Sequence, residues 1–330
     1  SQFISEVYTN YKKQNYINPN QTIEQSSVDN LYLIEFVPSF FKLKLNTLGS
    51  NLSSFKYEYF KGFMCDLTGI NTIEDYMCKQ LGKNGKKIVL RRLKRLETCF
   101  DISYKTYYGY IDKEDCDQLI DKLYLMIKKR FDQRGDIHSS LKNWDFYKST
   151  TYEMILSKKA CLSIIYSCNE PISISLDYLY ENIREGAIGS YEIDYSKYGL
   201  GNTDILKKLE WCLENGFVGL NMRYGDYPYK RYWCNNVFDY SSYVIFNKKS
   251  LIKTFSAFLV SKKNFMLAYM IKNKERFYFI TKFRNLIKKG KEDSKRLNNK
   301  VDLVFKEIKI ESSLKKDEGV VIDIKSEEYS

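Results

Sequence analysis

Two glycines stand in the segment YGLGNTD, between a predicted strand and a predicted helix. A helix amino terminus presents free backbone N–H groups and the positive end of the helix dipole, and glycine lets a phosphate group approach the backbone closely. The residues Gly199, Leu200, Gly201, Asn202 and Thr203 are therefore a candidate cradle for a pyrophosphate. A simple tight turn uses the same glycines, so this spacing leaves both interpretations open.

The cysteine and histidine content argues against a metal centre. The eight cysteines form no C-x-x-C pair, and His138 is the single histidine of the chain. Zinc sites and redox motifs commonly use such pairs or mixed sets of both residue types. We expect no metal, and we expect all eight cysteines to be reduced thiols that are mostly buried. His138 stands in the polar segment DIHSS, where we expect it to lie on the surface or to cap a helix.

The positive charge of the chain is concentrated in two places. The formal net charge is +12, and residues 248–300 hold 16 Lys and Arg against three acidic residues, a local excess of +13. A second cluster at 83–95 has seven basic residues and no acidic one. Basic patches attract phosphates, nucleic acid and anionic lipid. A solvated, lysine-rich face is the alternative interpretation of each cluster.

The spacing of apolar residues predicts an α+β chain that can position these groups. Strands are predicted at 31–38, 41–45, as a pair around 57–66, and at 102–111, 160–167, 172–180, 187–193, 217–222 and 237–247. Helices are predicted at 72–81 and from 86 to about 100, after Asp112, and at 140–156, 203–215 and 226–233, with two long basic amphipathic helices beyond 247. Asn71 or Thr72 is the predicted N-cap of the first helix, and Gly82 and Gly85 are expected to end it. The strands at 160–167 and 172–180 are predicted to pair as an antiparallel hairpin. The first thirty residues show no clear period.

No stretch of the sequence has the pattern of a membrane span. The most apolar run, 255–271, is interrupted by Lys262 and Lys263. Residues 1–20 lack the pattern of a signal peptide. We therefore expect a cytoplasmic protein, with the basic helices of 248–300 as a candidate surface for peripheral contact with an anionic membrane or with RNA.

Three segments in a fixed order carry a family resemblance. They are IEDYMCKQLGKNGKKIVLRRLKRLE, a helix pair with a basic cluster; YEIDYSKYGLGNTDILKKLEWCLENG, which contains the glycine turn; and LNMRYGDYPYKRYW, similar to the signature Asp-Phe-x-x-Gly-x-x-x-Tyr-Lys-x-x-Trp/Phe. Together they span residues 73–233. They resemble the GNAT acyltransferases, in the branch that is named for a cellulose-biosynthesis protein and is related to the Fem aminoacyl transferases.

The resemblance implies a GNAT-like mixed β-sheet flanked by helices, built as two tandem GNAT-like domains with a C-terminal helical extension. The implied division is 1–110 for an N-terminal GNAT-like domain and 111–247 for the acyl-CoA-binding domain. Residues 248–310 then form the basic helical extension and residues 311–330 a flexible tail.

Acetyl-CoA, or another acyl-CoA, is the cosubstrate that the resemblance implies. Its pyrophosphate would lie on the glycine turn, with Gly201 at the glycine position of the family. Its thioester would lie along a strand that ends near Ile193, where a backbone N–H can stabilise the oxyanion. Tyr229 aligns with the tyrosine that protonates the leaving thiolate in many GNAT enzymes. Arg223 and Lys230 are the implied substrate-binding residues, with a salt bridge as the alternative for Arg223.

The sequence departs from the family pattern at two places. The family's Ser-Pro-Gly turn is Gly199-Leu200-Gly201 here, and the leading Asp of the signature is Asn221, which cannot act as a general base. The candidates for that base are Asp194, Glu192 and Asp226, or a water held among them. Each of these carboxylates can equally be a solvated or helix-capping residue.

The implied function is N-acyl transfer, most simply N-acetyl transfer, to the amine of an amino sugar or amino acid used in envelope polysaccharide. One alternative is a Fem-like transferase that uses aminoacyl-tRNA. Another is an RNA or phosphate-backbone binder that uses the basic helices, whose affinity would fall steeply with salt.

Overall fold

The computed structural model describes residues 4–9, 14–17, 31–45, 51–133 and 139–272. The strands in these ranges are β1 (Ile4–Thr9), β2 (Gln14–Ile17), β3 (Tyr32–Pro38), β4 (Phe41–Leu45), β5 (Leu52–Asp66), β6 (Ile102–Tyr107), β7 (Ala160–Ser167), β8 (Glu170–Tyr180), β9 (Ile183–Tyr191), β10 (Gly219–Tyr224) and β11 (Asn236–Asn247). The α-helices are α1 (Ile73–Cys99), α2 (Lys113–Asp132), α3 (Trp144–Leu156), α4 (Leu200–Glu214), α5 (Pro228–Trp233) and α6 (Leu251–Lys272).

Eight of the strands form one large mixed sheet in the order β3-β11-β5-β10-β9-β8-β7-β6. Within this sheet β9 and β10 are parallel, and the other neighbouring pairs are antiparallel. Parallel neighbours need a crossover connection, which α4 supplies between β9 and β10. A smaller sheet has the order β2-β1-β4. The predicted fold class, a mixed sheet flanked by helices, is confirmed.

Helices cover both faces of the large sheet. Phe63 and Cys65 of β5 join a buried cluster with residues of α1, α4 and α5, whereas Met64 between them joins a cluster on the opposite face. Successive strand residues point to opposite faces, so the alternation on β5 assigns these helices to one side. Residues of α2 and α3 pack with Ile164 of β7 and Leu176 of β8 on the other side.

Helix α1 begins where its sequence predicts, but it does not end at the predicted residues. The Thr72 side chain accepts a hydrogen bond from the Asp75 N–H (3.1 Å), which confirms the predicted N-cap. Gly82 has a left-handed φ of 66° and interrupts the helical geometry. The helix then continues through the basic cluster to Cys99, so the expected stop at Gly82 and Gly85 is a bend inside one helix.

The structure differs from the predicted elements at several places. The pair around 57–66 is one long strand, β5, and residues 4–9 and 14–17 form strands although their sequence shows no clear period. Strand β9 begins at Ile183 and ends at Tyr191, so Ile193 lies on a 3-10 turn, Ile193–Tyr198, and not on a strand. The second long basic helix and His138 fall outside the described residues.

Strands from both sides of residue 110 pair in the large sheet, since β5 pairs with β10 and β11. The division into domains stays a prediction. All eight cysteines are free thiols, and five of them are buried. Among the described helices, none combines the length and apolar character that crossing a bilayer requires.

A buried ionic network ties β8, β9 and α4 together. Arg184 donates from Nε (2.9 Å) and Nη2 (2.5 Å) to the Asp177 carboxylate, and Lys208 donates to the same carboxylate at 3.3 Å. Lys208 also pairs with Asp204 at 2.9 Å. Arg184 and Asp177 are almost completely buried. Loss of one member would leave a buried charge without its counter-ion, which is far more costly than loss of an exposed pair.

We expect Asp177→Ala to lower the free energy of unfolding by about 3–5 kcal/mol, because two cations would stay buried without this partner. Asp121→Ala is the matched control, since Asp121 pairs with Lys148 at 2.9 Å on the surface and should cost less than about 1 kcal/mol. Urea denaturation of both variants measures the difference. Equal losses would contradict a structural role for the network.

Candidate active site

The parallel strands β9 and β10 separate after a short ladder. Their register pairs Ile183 with Gly219, Arg184 with Leu220, and Glu185 with Asn221, and there the ladder ends. Strand β9 continues to Tyr191 beside β8, while β10 continues beside β5 through a register shift. Beyond Glu185 the two strands are no longer paired with each other, and we call the region between their carboxyl ends the cleft.

Glu185 lies buried at the point where the strands diverge. Its Oε2 accepts hydrogen bonds from the Asn221 Nδ2 (2.6 Å) and the Tyr180 hydroxyl (2.8 Å). The Asn221 Nδ2 also lies 3.2 Å from the Tyr240 hydroxyl. Arg223 Nε is 3.8 Å from the Glu185 Oε1, so the carboxyl has a cationic neighbour without close pairing. A polar cluster of one carboxyl, one amide and two phenols thus lies at the base of the cleft.

Burial raises the pKa of Glu185, because a charged carboxylate loses its hydration there. Arg223 and the hydrogen bonds from Tyr180 and Asn221 act in the opposite direction, and burial prevails. A carboxylate with a raised pKa binds a proton more readily than an ordinary carboxylate does. Glu185 is therefore a candidate general base.

Two residues beside this cluster have a left-handed backbone that large side chains rarely adopt. Phe36 has φ 56° and Arg223 has φ 60°. The Phe36 ring stacks on Tyr224, the neighbour of Arg223, with centroids 5.0 Å apart, and on Phe60 at 5.5 Å. Arg223 donates its backbone N–H to the Asn221 Oδ1 (2.8 Å). Backbone strain of this kind persists where the surroundings enforce it, and it is concentrated at functional sites.

The glycine turn forms the start of α4. Gly199 has φ 76°, and its carbonyl accepts hydrogen bonds from the N–H groups of Asn202 (2.9 Å) and Thr203 (3.2 Å). These two N–H groups are consequently engaged within the helix. A Cβ at Gly199 would stand 3.0 Å from the Arg92 Cδ, so Arg92 of α1 lies against the turn.

A second guanidinium lies near the same helix end. Arg130 of α2 lies over the Tyr191 ring at 4.5 Å, and a Cβ at Gly201 would be 3.6 Å from that ring. Two cations and the positive end of α4 therefore converge at the carboxyl end of β9. This charge arrangement suits a phosphate group.

The other residues of the predicted cradle have structural contacts. The side chains of Leu200 and Thr203 are buried, and the Asn202 Oδ1 accepts a hydrogen bond from the Trp233 Nε1 (2.8 Å). This bond fixes the start of α4 to the end of α5. Ile193 is on the 3-10 turn, and so a role for its N–H as a diverging strand group does not agree with the structure.

The predicted acid and base residues lie in several surroundings. Tyr229 is exposed on α5 and stacks on Tyr227, with ring centroids 6.0 Å apart. Asp226 forms an exposed ion pair with Arg231, whose hydrogen bonds lower the pKa of Asp226 and weaken it as a base. Asp194 is exposed on the 3-10 turn.

Two more predicted residues have structural partners. Glu192 pairs with Lys129 at 3.0 Å on the surface of the fold. Lys230 is buried and donates to the backbone carbonyls of Arg223 and Tyr224, and burial lowers its pKa to about 8. Its ammonium thus stabilises the strained end of β10, and a contact with substrate stays a prediction.

Sequence reasoning missed Glu185 and the position of Arg92. The strand prediction began at residue 187 and left Arg184 and Glu185 in a loop. Two adjacent charged residues inside a strand point to opposite faces, which would have indicated two buried polar clusters. The approach of Arg92 to Gly199 depends on how α1 packs against α4, which no local pattern encodes.

The family comparison agrees with this geometry. Residues 83–231 match the family model described as an acetyltransferase (GNAT) domain. This segment of the chain is therefore similar to a GNAT acetyltransferase domain. The matched segment includes the basic part of α1, the diverging strands and the glycine turn. The sequence resemblance is confirmed at the level of this domain type, and the cellulose-biosynthesis branch stays a prediction.

Solved structures with some likeness include a conserved protein of unknown function from Bacteroides thetaiotaomicron (8% identity, TM-score 0.42, 60% of this chain and 64% of that one). L-PGS from Bacillus licheniformis has 12% identity and a TM-score of 0.41 over 63% of this chain and 66% of that one. FemX has 9% identity and a TM-score of 0.39 over 54% and 61%. The chain spans less than two thirds of each of these proteins, and similarity this low supports no conclusion about the GNAT-like domain. The curated proteins contain no match to the chain.

Replacement of Glu185 by Gln should change how stability depends on pH. A raised pKa in the folded state means that Glu185 binds its proton more tightly there, so its contribution to stability is lost as pH rises through the folded pKa. We expect the melting temperature of Glu185→Gln, relative to that of the unmodified protein, to increase over a pH range that begins at about 4.5, the ordinary pKa of a glutamate. Thermal melts across this range measure the effect.

Glu214→Gln at an exposed position is the matched control for loss of one negative charge. A difference in melting temperature that is independent of pH for Glu185→Gln would contradict the raised pKa. A pH trend of the same size in both variants would contradict it as well.

Proposed function

We propose that the GNAT-like domain is an acyl-CoA N-acyltransferase, most simply an N-acetyltransferase. The observation that carries this proposal is the cleft between β9 and β10, with the buried carboxyl of Glu185 at its base and the start of α4 at its mouth. From Glu185 to Tyr191 an extended strand covers about 20 Å. A long, narrow ligand with a phosphate at one end and a reactive group at the other suits such a cleft.

The phosphate end of the ligand would lie at the glycine turn. Arg92 beside Gly199 and Arg130 beside Tyr191 would neutralise the pyrophosphate of coenzyme A, and the first N–H groups of α4 would donate to it. Binding of the pyrophosphate at this position does not require the N–H groups of Asn202 and Thr203, which already donate to the Gly199 carbonyl.

The reacting end would lie near Glu185. The Glu185 carboxylate takes a proton from the amine as the nitrogen forms its bond to the acyl carbon, and the C–S bond of the thioester then breaks. The departing thiolate accepts a proton from a phenol, for which Tyr229 stays the candidate from the sequence. We propose Glu185 as the base in place of Asp194, Glu192 and Asp226. Glu192 and Asp226 each have a close ion pair, whereas the nearest cation to Glu185 among the described residues is 3.8 Å away. Burial also raises the pKa of Glu185.

The acceptor follows from the family resemblance. An amino sugar or amino acid of envelope polysaccharide is the proposed amine, and the cellulose-biosynthesis branch is supported by the three sequence segments alone. Phe60 and Tyr224, which stack on the buried Phe36 beside Arg223, are the candidate surface for this acceptor, since sugar rings and aliphatic chains pack on aromatic faces.

Binding of coenzyme A tests the proposal. We expect Arg92→Ala to weaken binding by about 10- to 100-fold, because a hydrogen bond to a charged group is worth about 1.5–3 kcal/mol. Titration calorimetry with coenzyme A, and with adenosine as the control ligand, measures the change. The matched control is Arg91→Ala, since Arg91 lines a separate groove on α1. Equal affinities of both variants for coenzyme A would contradict a phosphate-binding site at the glycine turn.

The role of Glu185 is tested with the same ligand. Glu185→Gln should keep its affinity for coenzyme A and should release free thiol from acetyl-CoA at least about 100-fold more slowly in the presence of a panel of primary amines. A rate equal to that of the unmodified protein would exclude Glu185 as the base.

A second candidate function rests on a groove along α1. Five cationic side chains and two others line this groove, which has a volume of about 580 Å³; they are Cys78, Lys83, Lys86, Lys87, Leu90, Arg91 and Lys94. Such a surface suits the phosphate backbone of RNA, either alone or as part of a Fem-like transferase that uses aminoacyl-tRNA.

For this second function we expect RNA affinity to fall steeply between 50 and 200 mM salt, roughly 10³-fold for six phosphate contacts. The variant Lys86→Ala/Arg91→Ala should reduce the slope of log affinity against log salt by roughly 2. Fluorescence anisotropy with a transfer RNA measures both quantities. Affinity that is insensitive to salt would contradict an RNA-binding groove.

A further inference from the structure

Helix α6 packs on the large sheet along one side. Ala257 is fully buried in a cluster with Tyr57, Val244 and Phe246, and the partly buried Val260 packs against the same cluster. The Asn264 side chain donates from Nδ2 to the Tyr57 hydroxyl at 3.0 Å. These contacts with the sheet occupy this side of α6.

The opposite side of α6 carries large apolar residues that face solvent. Each of the following side chains is at least half exposed: Leu251, Ile252, Phe255, Leu259 and Met266. At 100° per residue they fall within one arc of about 100°, and Ala257 and Asn264 lie on the other side of the helix. We call these five residues the outer face of α6. A contiguous exposed apolar patch of this kind marks an interaction surface.

Lysines accompany the outer face. Residues 248–274 hold seven lysines and no acidic residue. Lys248 and Lys249 are exposed where the helix begins, and Lys262 and Lys263 are exposed along its length. The Lys262 ammonium lies 5.5 Å from the Phe258 ring centroid. A lysine stem can cover apolar surface while its ammonium stays at a polar boundary.

The positive charge around the outer face indicates which kind of partner can bind there. A second copy of α6 would bring lysines against lysines, and residues 275–300 of this chain add nine Lys and Arg against three acidic residues. Repulsion between like charges therefore disfavours both a second copy of α6 and residues 275–300 as the partner of the outer face. An anionic lipid surface offers an apolar layer for the outer face and negative headgroups for the lysines. We infer that α6 lies in the plane of an anionic lipid bilayer, with its outer face toward the acyl chains and its opposite face on the sheet.

Vesicle flotation of the full chain tests this inference. We expect the protein to float with vesicles of phosphatidylglycerol and phosphatidylcholine, less with phosphatidylcholine alone, and less at high salt. Phe255→Gln/Leu259→Gln should reduce partitioning about tenfold or more, because two large apolar side chains leave the contact. Both residues are exposed, so the melting temperature should stay unchanged.

The matched control is Leu125→Gln/Phe146→Gln, which removes two exposed apolar side chains from α2 and α3 and should float like the unmodified protein. The inference is overturned if the unmodified protein does not float with anionic vesicles at low salt, or if both double variants float equally well. A dimer in sedimentation velocity that Phe255→Gln/Leu259→Gln abolishes, without flotation, would assign the outer face to a second copy instead.

Discussion

The separation of β9 from β10 after the Glu185–Asn221 pair is the constraint on which the rest of the site depends. Parallel strands that stayed paired would keep their backbone N–H and C=O groups hydrogen-bonded to each other. Once they diverge, polar groups at the base of the gap must find partners within the protein. The Asn221 amide and the Tyr180 phenol meet this need for Glu185, and Arg223 stays 3.8 Å away.

Two adjacent residues of β9, Arg184 and Glu185, lie in different electrostatic environments. Arg184 points to one face and forms a close ion pair with Asp177. This ion pair belongs to the network that links the sheet to α4. Glu185 points to the other face and keeps only a distant cation, so burial raises its pKa. The alternation of side chains along one strand thereby places a buried ion pair on one face of the sheet and the proposed base on the other.

The signature of the family begins with Asp, and this chain has Asn221 at that position. A carboxyl group is nevertheless present beside it, on Glu185. An Asp at this position would stand beside Glu185, and two carboxylates within hydrogen-bonding distance repel each other. With Asn221 the neighbour is a donor, and the amide holds Glu185 at 2.6 Å. The carboxyl that the signature lacks is thus present on the adjacent strand of the sheet.

The sequence predicted elements whose pattern is local. The Thr72 cap, the hairpin of β7 and β8, and the helix after the glycine turn follow from capping, turn and periodicity signals. The site was predicted less well. Gly199 and its turn were found, but Glu185 and Arg92 depend on the strand register and on the packing of α1 against α4. These long-range contacts are not encoded in any single segment.

Hydrogen exchange of the full chain, with and without desulfo-coenzyme A, tests the central claim that the diverging strands hold an acyl-CoA. We predict slower exchange in peptides that cover 186–191, 199–201 and 222–224, with little change in 83–90. Protection confined to 83–90, or no protection in the cleft at saturating ligand, would contradict this claim.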